Sequence, residues 1–270
     1  MVRVTTTDRR GALRAGAGLV AGGALAGGCS SATGSVAQPA PARATPSRTP
    51  AKPTPAKPAP LAAPAPRAFP RQPAQITHGP RDRPRVALTF HGQGDPALAH
   101  ALLTEAERHG ARITVLAVGT WLDEQPDIAR RILDGGHDLG NHTQRHVAVN
   151  TMSETAARAE ITECADRLRR LTGSIGTWFR PSRAPTASPL VVRLARAAGY
   201  PHVLSYDVDS LDYTRPGAPA VTRKVLAEVR GGSVVSMHFG YPDTVAALPA
   251  VLQELDSRGL HAVTTTELLS

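Results

Sequence analysis

From residue 85 onward, short apolar runs alternate with segments of helical periodicity, and this alternation restricts the fold. Runs with the composition of buried strands cover residues 86–90, 113–118, 203–206 and 234–237. Helical spacing occurs at residues 96–108, 128–133, 154–171, 189–198, 220–229 and 245–255, and a glycine soon follows each segment. Repeated strand-then-helix units predict a parallel sheet. Because 186 residues are few for an eight-unit barrel of about 250, we expect a reduced or distorted parallel (β/α) barrel.

The segment before this region is dominated by proline. Between residues 38 and 84 lie 14 of the 24 prolines, mixed with alanine, threonine, lysine and arginine. Such a composition buries too little apolar surface to fold, and proline favours an extended backbone. We therefore interpret residues 30–84 as a disordered linker and residues 85–270 as the folded domain.

The first 29 residues have the pattern of an export signal. Four arginines precede an uncharged run at residues 15–28, which is too short for a bilayer span of about 20 apolar residues. The run ends in Leu25-Ala26-Gly27-Gly28-Cys29, which resembles a bacterial lipoprotein cleavage box. We predict lipidation at Cys29 and a location on the outer face of the cytoplasmic membrane, with ordinary secretion as the alternative. Cys164 is then the remaining thiol, and its helical context predicts burial.

The positive charge of the chain is concentrated before the predicted domain. Residues 1–84 carry 12 Lys/Arg against 2 Asp/Glu, whereas residues 85–270 carry 19 against 20. A nucleic-acid partner would require a basic surface on the folded part. We therefore expect no nucleic-acid binding, and a monomer is the expected state.

Five stretches of the domain carry residues of chemical interest, in an order that resembles a known family. They lie at residues 88–96, 136–146, 179–181, 209–213 and 235–238. Together they resemble the polysaccharide deacetylase family, also called the NodB homology domain or carbohydrate esterase family 4. The resemblance implies a NodB-like (β/α) barrel, one divalent metal, and hydrolysis of N-acetyl groups on a cell-wall or related amino-sugar polysaccharide.

The second stretch contains two histidines at a metal-binding spacing. His142 and His146 are four residues apart, so their imidazoles can converge on one cation from a helical turn or a tight loop. In the family that this chain resembles, the corresponding pair binds the metal. We therefore predict both residues as ligands.

The first stretch departs from the family pattern. The family has two aspartates, one acting as the general base and one as the third ligand, where this chain has His91 and Gly92. One interpretation is that His91 completes a three-imidazole site, which suits zinc. A second is that Asp95 supplies a carboxylate as ligand or base. A third is that the site is inactive.

The other stretches supply the remaining candidate residues, on the strength of the resemblance. His238 matches the general acid that protonates the leaving amine, and Asp212 matches the residue that tunes it. Arg180 matches the arginine that orients the base, with Asp95 or Asp209 as possible partners here. Pro181 and Tyr213 are predicted to line the sugar-binding groove.

Two functions follow from these residues. The leading hypothesis is a metal-dependent hydrolase, with zinc as the expected ion, that deacetylates an N-acetylated polysaccharide. The alternative is a catalytically inactive polysaccharide-binding lipoprotein that keeps the deacetylase fold.

Overall fold

Strands and helices alternate along the chain in the computed structural model, which describes residues 63–270. The strands are β1 Gln75–Ile76, β2 Arg85–Gly92, β3 Thr114–Ala117, β4 Asp138–Asn141, β5 Val203–Leu204, β6 Val208–Asp209, β7 Val234–His238 and β8 His261–Ala262. The α-helices are α1 Pro96–Arg108, α2 Gly119–Glu124, α3 Pro126–Asp134, α4 Glu154–Thr172, α5 Pro189–Ala197, α6 Ala218–Glu228, α7 Pro242–Ser257 and α8 Thr265–Leu269. The predicted export signal and Cys29 lie outside the described residues.

All paired strands of the sheet run parallel. The main path has the order β4-β3-β2-β7-β6, β8 pairs with the start of β2, and β1 pairs with β5. Phe179 bridges β4 to β5 through Asn141 and Val203. Within the described residues no ladder joins β5 to β6, and residues 205–207 connect these two strands. The predicted reduced or distorted parallel (β/α) barrel is therefore confirmed.

Side chains alternate along β2 between the helices and the barrel interior. Val86, Leu88 and Phe90 pack in the cluster that holds the buried residues of α1 and α7. Ala87 joins the interior cluster with Leu116, Trp178 and Leu204. Because successive side chains of a strand point to opposite faces, His91 shares the interior face with Ala87.

The segment preceding β2 belongs to the fold. Phe69 stacks on Trp178 with a centroid distance of 5.6 Å, and its backbone N–H donates to Nε2 of His202. β1 adds Ile76 to the interior cluster. The predicted linker end at residue 84 is therefore too late. The apolar residues of this segment bury enough surface to order it, and its prolines tolerate the extended backbone it adopts.

One strand of the sheet differs from the sequence expectation. β4 was not predicted, because it contains Asp138, Gly140 and Asn141 in place of β-branched residues, yet all four of its residues are buried.

Cys164 is buried in α4, as predicted. Within residues 63–270, none of the helices combines the length and apolar character needed to cross a bilayer.

Candidate metal centre and adjoining pocket

The candidate site lies where the carboxyl ends of neighbouring parallel strands meet. His91 is the penultimate residue of β2, His238 is the last residue of β7, and the register places them opposite each other. His142 follows directly after β4. Side chains that carry function in (β/α) folds collect at this end of the strands. The strand order therefore brings together residues that are far apart in the sequence.

The imidazole of His91 lies between two others. Its ring centroid is 4.3 Å from that of His142 and 4.2 Å from that of His238, and the rings of His142 and His146 are 5.0 Å apart. A ring nitrogen of His91 is also 3.2 Å from Oγ of Ser236. One nitrogen from each of His91, His142 and His146 lies within 4.8 Å of the other two. The structure thus brings together the three residues predicted as metal ligands.

His142 presents an unsatisfied lone pair to this cluster. Its Nδ1 is 3.0 Å from the carbonyl oxygen of Arg180, so Nδ1 carries the proton and donates it. Its Nε2 is buried and has no hydrogen-bond partner within the described residues. A carbonyl that orients one ring nitrogen while the other is left free is the usual arrangement of a metal-binding histidine.

The electrostatics of the cluster favour neutral imidazoles. Burial, reinforced by the neighbouring histidines, holds the pKa of His91 and of His142 well below the usual value. Burial and the charge of Arg183 lower the pKa of His146 to about 4. Neutral imidazole is the form that binds metals. Three neutral nitrogen donors, one of which is the unpartnered Nε2 of His142, therefore fit a divalent cation such as zinc.

Position 92 has no room for a side chain. A Cβ on Gly92 would lie 2.9 Å from Cγ1 of Val115, 3.1 Å from Cα of Ala117 and 3.2 Å from the ring of Trp121. The packing of β3 and α2 has therefore closed the position where the family has its ligand aspartate.

Asp95 does not join the cluster. Its carboxylate accepts a 2.8 Å hydrogen bond from the backbone N–H of Ala97 and caps the N-terminus of α1. It does not line the pocket next to the histidines. The structure corrects the expectation that Asp95 supplies a ligand or a base, because the Asp-Pro start of α1 uses the carboxylate as a helix cap.

His238 and Asp212 form the closest acid–base pair of the site. The Nδ1 of His238 is 2.7 Å from Oδ1 of Asp212, and the backbone N–H of His238 donates to Oδ2 over 2.7 Å. Thr244 donates a further 2.6 Å hydrogen bond to Oδ2. Burial alone would raise the pKa of Asp212, but the hydrogen bonds from His238 and Thr244 outweigh it, so the pKa lies below its usual value. The ionised carboxylate keeps the proton of His238 on Nδ1 and turns Nε2 away from Asp212.

Arg180 is buried, and its Nη1 has no hydrogen-bond partner within the described residues. Its guanidinium donates to the carbonyl oxygens of Leu204 and Ser205, each over 3.1 Å, and lies 5.3 Å from the ring centroid of Tyr206. Burial lowers its pKa to about 10. It makes no hydrogen bond to Asp95 or Asp209 within the described residues, so its predicted role in orienting a base is not supported. Its backbone carbonyl, in contrast, orients His142.

A pocket of about 510 Å³ opens beside the histidines. Tyr213 lines it as predicted, is 45% exposed, and meets the ring of His238 edge-on with centroids 5.3 Å apart. Pro181 is buried and does not line the pocket, because the chain turns after it and presents residues 183–185 to the pocket. Trp121 and Trp178 lie in the core.

Sequence reasoning missed several residues of this pocket. Arg183, Tyr206 and Tyr241 all line it, and so does Asp209, which the sequence indicated only as a possible partner of Arg180. Tyr241 approaches His238 edge-on at 5.8 Å. Arg183 lies two residues after the recognised stretch at residues 179–181, which is a usable signal, whereas Tyr241 follows β7 in a loop without a pattern of its own.

Comparison with known proteins decides the family. Residues 78–203 match the polysaccharide deacetylase family. The matched segment, residues 78–203, is assigned to the polysaccharide deacetylase family. The match begins before residue 85, in agreement with the early start of the fold, and it contains the histidine motif at residues 136–146.

Curated relatives of this family member act on N-acetylated glycans. A peptidoglycan-N-acetylglucosamine deacetylase of Bacillus cereus is 29% identical over 194 residues, which are 70% of this chain and 90% of the relative. A chitooligosaccharide deacetylase of Bradyrhizobium is 29% identical and is covered to 86%. The chain spans only 38% of the peptidoglycan-N-acetylglucosamine deacetylase PgdA of Listeria monocytogenes, also 29% identical.

Two solved structures are similar in fold but differ in activity. One is a family 4 carbohydrate esterase pseudoenzyme from Bacillus anthracis, with a TM-score of 0.69 and 25% identity over 74% of this chain and 70% of that chain. The other is a peptidoglycan N-acetylglucosamine deacetylase, with a TM-score of 0.68 and 26% identity over 72% of this chain and 92% of that chain. This polysaccharide deacetylase domain therefore resembles both an active and an inactive member.

Proposed function

We propose that the protein is a zinc-dependent hydrolase that removes N-acetyl groups from an amino-sugar polymer of the cell wall. The observation that carries this proposal is the convergence of His91, His142 and His146 beside the His238–Asp212 pair at the edge of an open pocket. When bound by the three imidazoles, a divalent cation supplies Lewis acidity to a carbonyl and lowers the pKa of water.

The residues of the chain account for the rest of the reaction. Hydrolysis adds the oxygen of water to the acetyl carbonyl carbon, breaks the carbon–nitrogen bond, and releases acetate and a free amine. The attacking water loses a proton and the leaving nitrogen gains one. His238 is placed to accept the first on Nε2 and to donate it to the nitrogen, because Asp212 keeps the other proton on Nδ1. Asp212 holds the ring in position and stabilises its charged form. Tyr213 offers a flat face for a sugar ring.

The test uses the full chain and an N-acetylglucosamine oligomer. We expect acetate release that stops when the metal is removed by a chelator and returns on addition of zinc. His238→Gln should lower the turnover number on the order of 10²-fold or more. The matched control is His100→Gln, an exposed histidine of α1, which should leave turnover unchanged. Wild-type protein that is loaded with zinc and releases no acetate would exclude the hydrolase.

A second candidate function is that of an inactive polysaccharide-binding lipoprotein. It is favoured by the absence of a carboxylate from the histidine cluster within residues 63–270, and by the similarity to a pseudoenzyme. This candidate predicts binding of the oligomer to the pocket without acetate release. Equal binding by wild type and a Tyr213→Ala variant would count against it, since Tyr213 is the most exposed ring of the pocket.

We also propose that the protein is exported and anchored through Cys29. The supporting observation is the lipoprotein-like sequence around Cys29, followed by a proline-rich segment. Expression of the full chain with a radiolabelled fatty acid should label wild type and leave Cys29→Ser unlabelled and released from the membrane fraction. Equal labelling of the two proteins would contradict the anchor.

A further inference from the structure

Backbone strain within residues 63–270 is concentrated around the pocket. A positive φ outside glycine occurs at five positions: Thr143, His146, Arg183, Leu211 and Arg215. Each such conformation is disfavoured for an L-residue with a side chain. His146 and Arg183 line the pocket, and the last two residues flank the turn that carries Tyr213. Four of the five strained positions thus lie in the pocket lining or beside the turn that carries Tyr213, and such clustering of strain is typical of functional sites.

Arg183 is an uncompensated cation at this rim. It is exposed, it lines the pocket next to His146, and its side chain has neither a hydrogen bond nor an ion pair within the described residues. Other arginines of the domain do pair with carboxylates: Arg81 with Asp207, Arg112 with Glu267, and Arg145 with Glu160. Arg193 of α5 is likewise unpaired within residues 63–270, but it does not line the pocket. What distinguishes Arg183 is that it combines an unpaired guanidinium with a positive φ and a place in the pocket lining.

A second cation borders the same pocket. The guanidinium carbon of Arg215 is 5.8 Å from the ring centroid of Tyr241, which lines the pocket beside His238. Asp209 is the carboxylate among the lining residues, and its Oδ1 already accepts a hydrogen bond from the backbone N–H of Leu211. The rim therefore has an excess of positive charge near its aromatic rings.

We infer that the pocket selects N-acetylated glycans that carry a carboxylate near the acetamido group, and that Arg183 is the specificity-determining partner of this carboxylate. The inference rests on the proposed function for the identity of the ligand as a glycan. A planar guanidinium can bind a carboxylate through two parallel hydrogen bonds, which gives both energy and orientation. A neutral oligomer would contact the same tyrosine rings but would leave Arg183 without a partner.

The carboxylate has two possible chemical sources, and the experiment separates them. One is a lactyl ether on the N-acetylated sugar itself, as in N-acetylmuramic acid. The other is a uronic acid on the neighbouring sugar. Binding of the full chain is measured by calorimetry with an oligosaccharide of each kind, with its carboxamide derivative, and with a neutral N-acetylglucosamine oligomer of equal length.

We expect wild type to bind at least one carboxylate form about three- to tenfold more tightly than its carboxamide. Arg183→Gln should bind both forms with equal affinity, and Arg183→Lys should keep part of the preference. Arg193→Gln is the matched control, since Arg193 is an exposed arginine of α5 that does not line the pocket. The preference should also weaken as salt is raised.

Equal binding of acid and carboxamide by wild type would overturn the inference, and so would a preference that survives in Arg183→Gln. Because binding is measured without turnover, the two proposals fail separately. If the protein prefers the carboxylate form but releases no acetate, only the hydrolase is contradicted. If it releases acetate but binds the acid and its carboxamide equally tightly, only the selectivity is contradicted. If Arg183→Gln fails to fold, the graded effect of Arg183→Lys decides.

Discussion

His91 and His238 lie opposite each other on neighbouring parallel strands, with ring centroids 4.2 Å apart. This pairing brings His238, the predicted proton donor, next to His91, which occupies the position of an aspartate in the family. The same His91 ring is 4.3 Å from His142. One residue of β2 thus connects the cation-binding cluster to the acid–base pair, and its substitution should separate their contributions.

Replacing His91 by alanine should weaken metal binding without removing the acid–base pair. One of three nitrogen donors is lost, so we expect the affinity for zinc to fall about 100-fold or more. Titration of metal-free protein with zinc measures this. His238→Gln is the control, since His238 is outside the three-residue cluster, and it should retain most of the affinity. An unchanged zinc affinity in His91→Ala would exclude the three-imidazole site.

Adding a methyl group at position 92 should destabilise the protein. Gly92→Ala places a carbon 2.9 Å from Cγ1 of Val115, and such overpacking costs about 1–3 kcal/mol of unfolding free energy. Chemical denaturation measures the loss. In the double variant with Val115→Ala, the combined loss should be smaller than the sum of the two single losses. Strict additivity would show that the two positions do not compete for space.

Converting Asp212 to asparagine should impair proton transfer from His238. An amide no longer stabilises the charged ring and no longer selects the Nδ1–H tautomer, so we expect the turnover number to fall on the order of 10²–10⁴-fold. Oligomer affinity should change little, since Asp212 is buried behind His238. Asp256→Asn, at an exposed position of α7, is the control. A variant with wild-type turnover would show that Asp212 does not support proton transfer by His238.

Acidification should destabilise the domain partly through His137. Its side chain is buried, and its Nδ1 accepts a 3.2 Å hydrogen bond from the backbone N–H of Ile113. Burial lowers the pKa of His137, and Glu107 offsets only part of this effect. Below pH about 6.5 the unfolded chain therefore binds a proton that the folded domain resists, so stability is complete above this pH and declines below it.

The matched variant for this prediction is His137→Gln. Between pH 7.0 and 5.5, wild type should lose more unfolding free energy than the variant, with a difference of at most about 1.4 kcal/mol per pH unit. Urea denaturation at the two pH values measures both losses. Parallel losses would show that His137 does not contribute to the acid sensitivity.

Truncating Phe69 should loosen the segment before β2. The ring is buried against Trp178, so Phe69→Ala should cost about 3 kcal/mol, and Phe69→Leu should cost less. Limited proteolysis should cleave the alanine variant near residues 63–74 under conditions in which wild type is resistant. Resistance equal to that of wild type would contradict the packing of this segment.

The sequence alone determined the fold class, the family resemblance and which three histidines are predicted as metal ligands. Alternating strand and helix periodicity requires a parallel arrangement, and a parallel arrangement requires the strand ends to meet at one edge. His91, His142 and His146 are placed at such ends by their position in the motifs. Helix bounds such as 96–108 were also predicted, because the proline at the start and the glycine beyond the end are local signals.

Only the tertiary structure decided which polar groups remain available for chemistry. Asp95 and Arg180 have suitable side chains, but one caps a helix and the other is used by buried carbonyls. β4 and the segment at residues 63–84 form because of burial against distant residues, which no local pattern encodes. The rim cation Arg183 is distinguished for the same reason, since its place in the pocket lining beside His146 is a property of its surroundings in space and not of the sequence next to it.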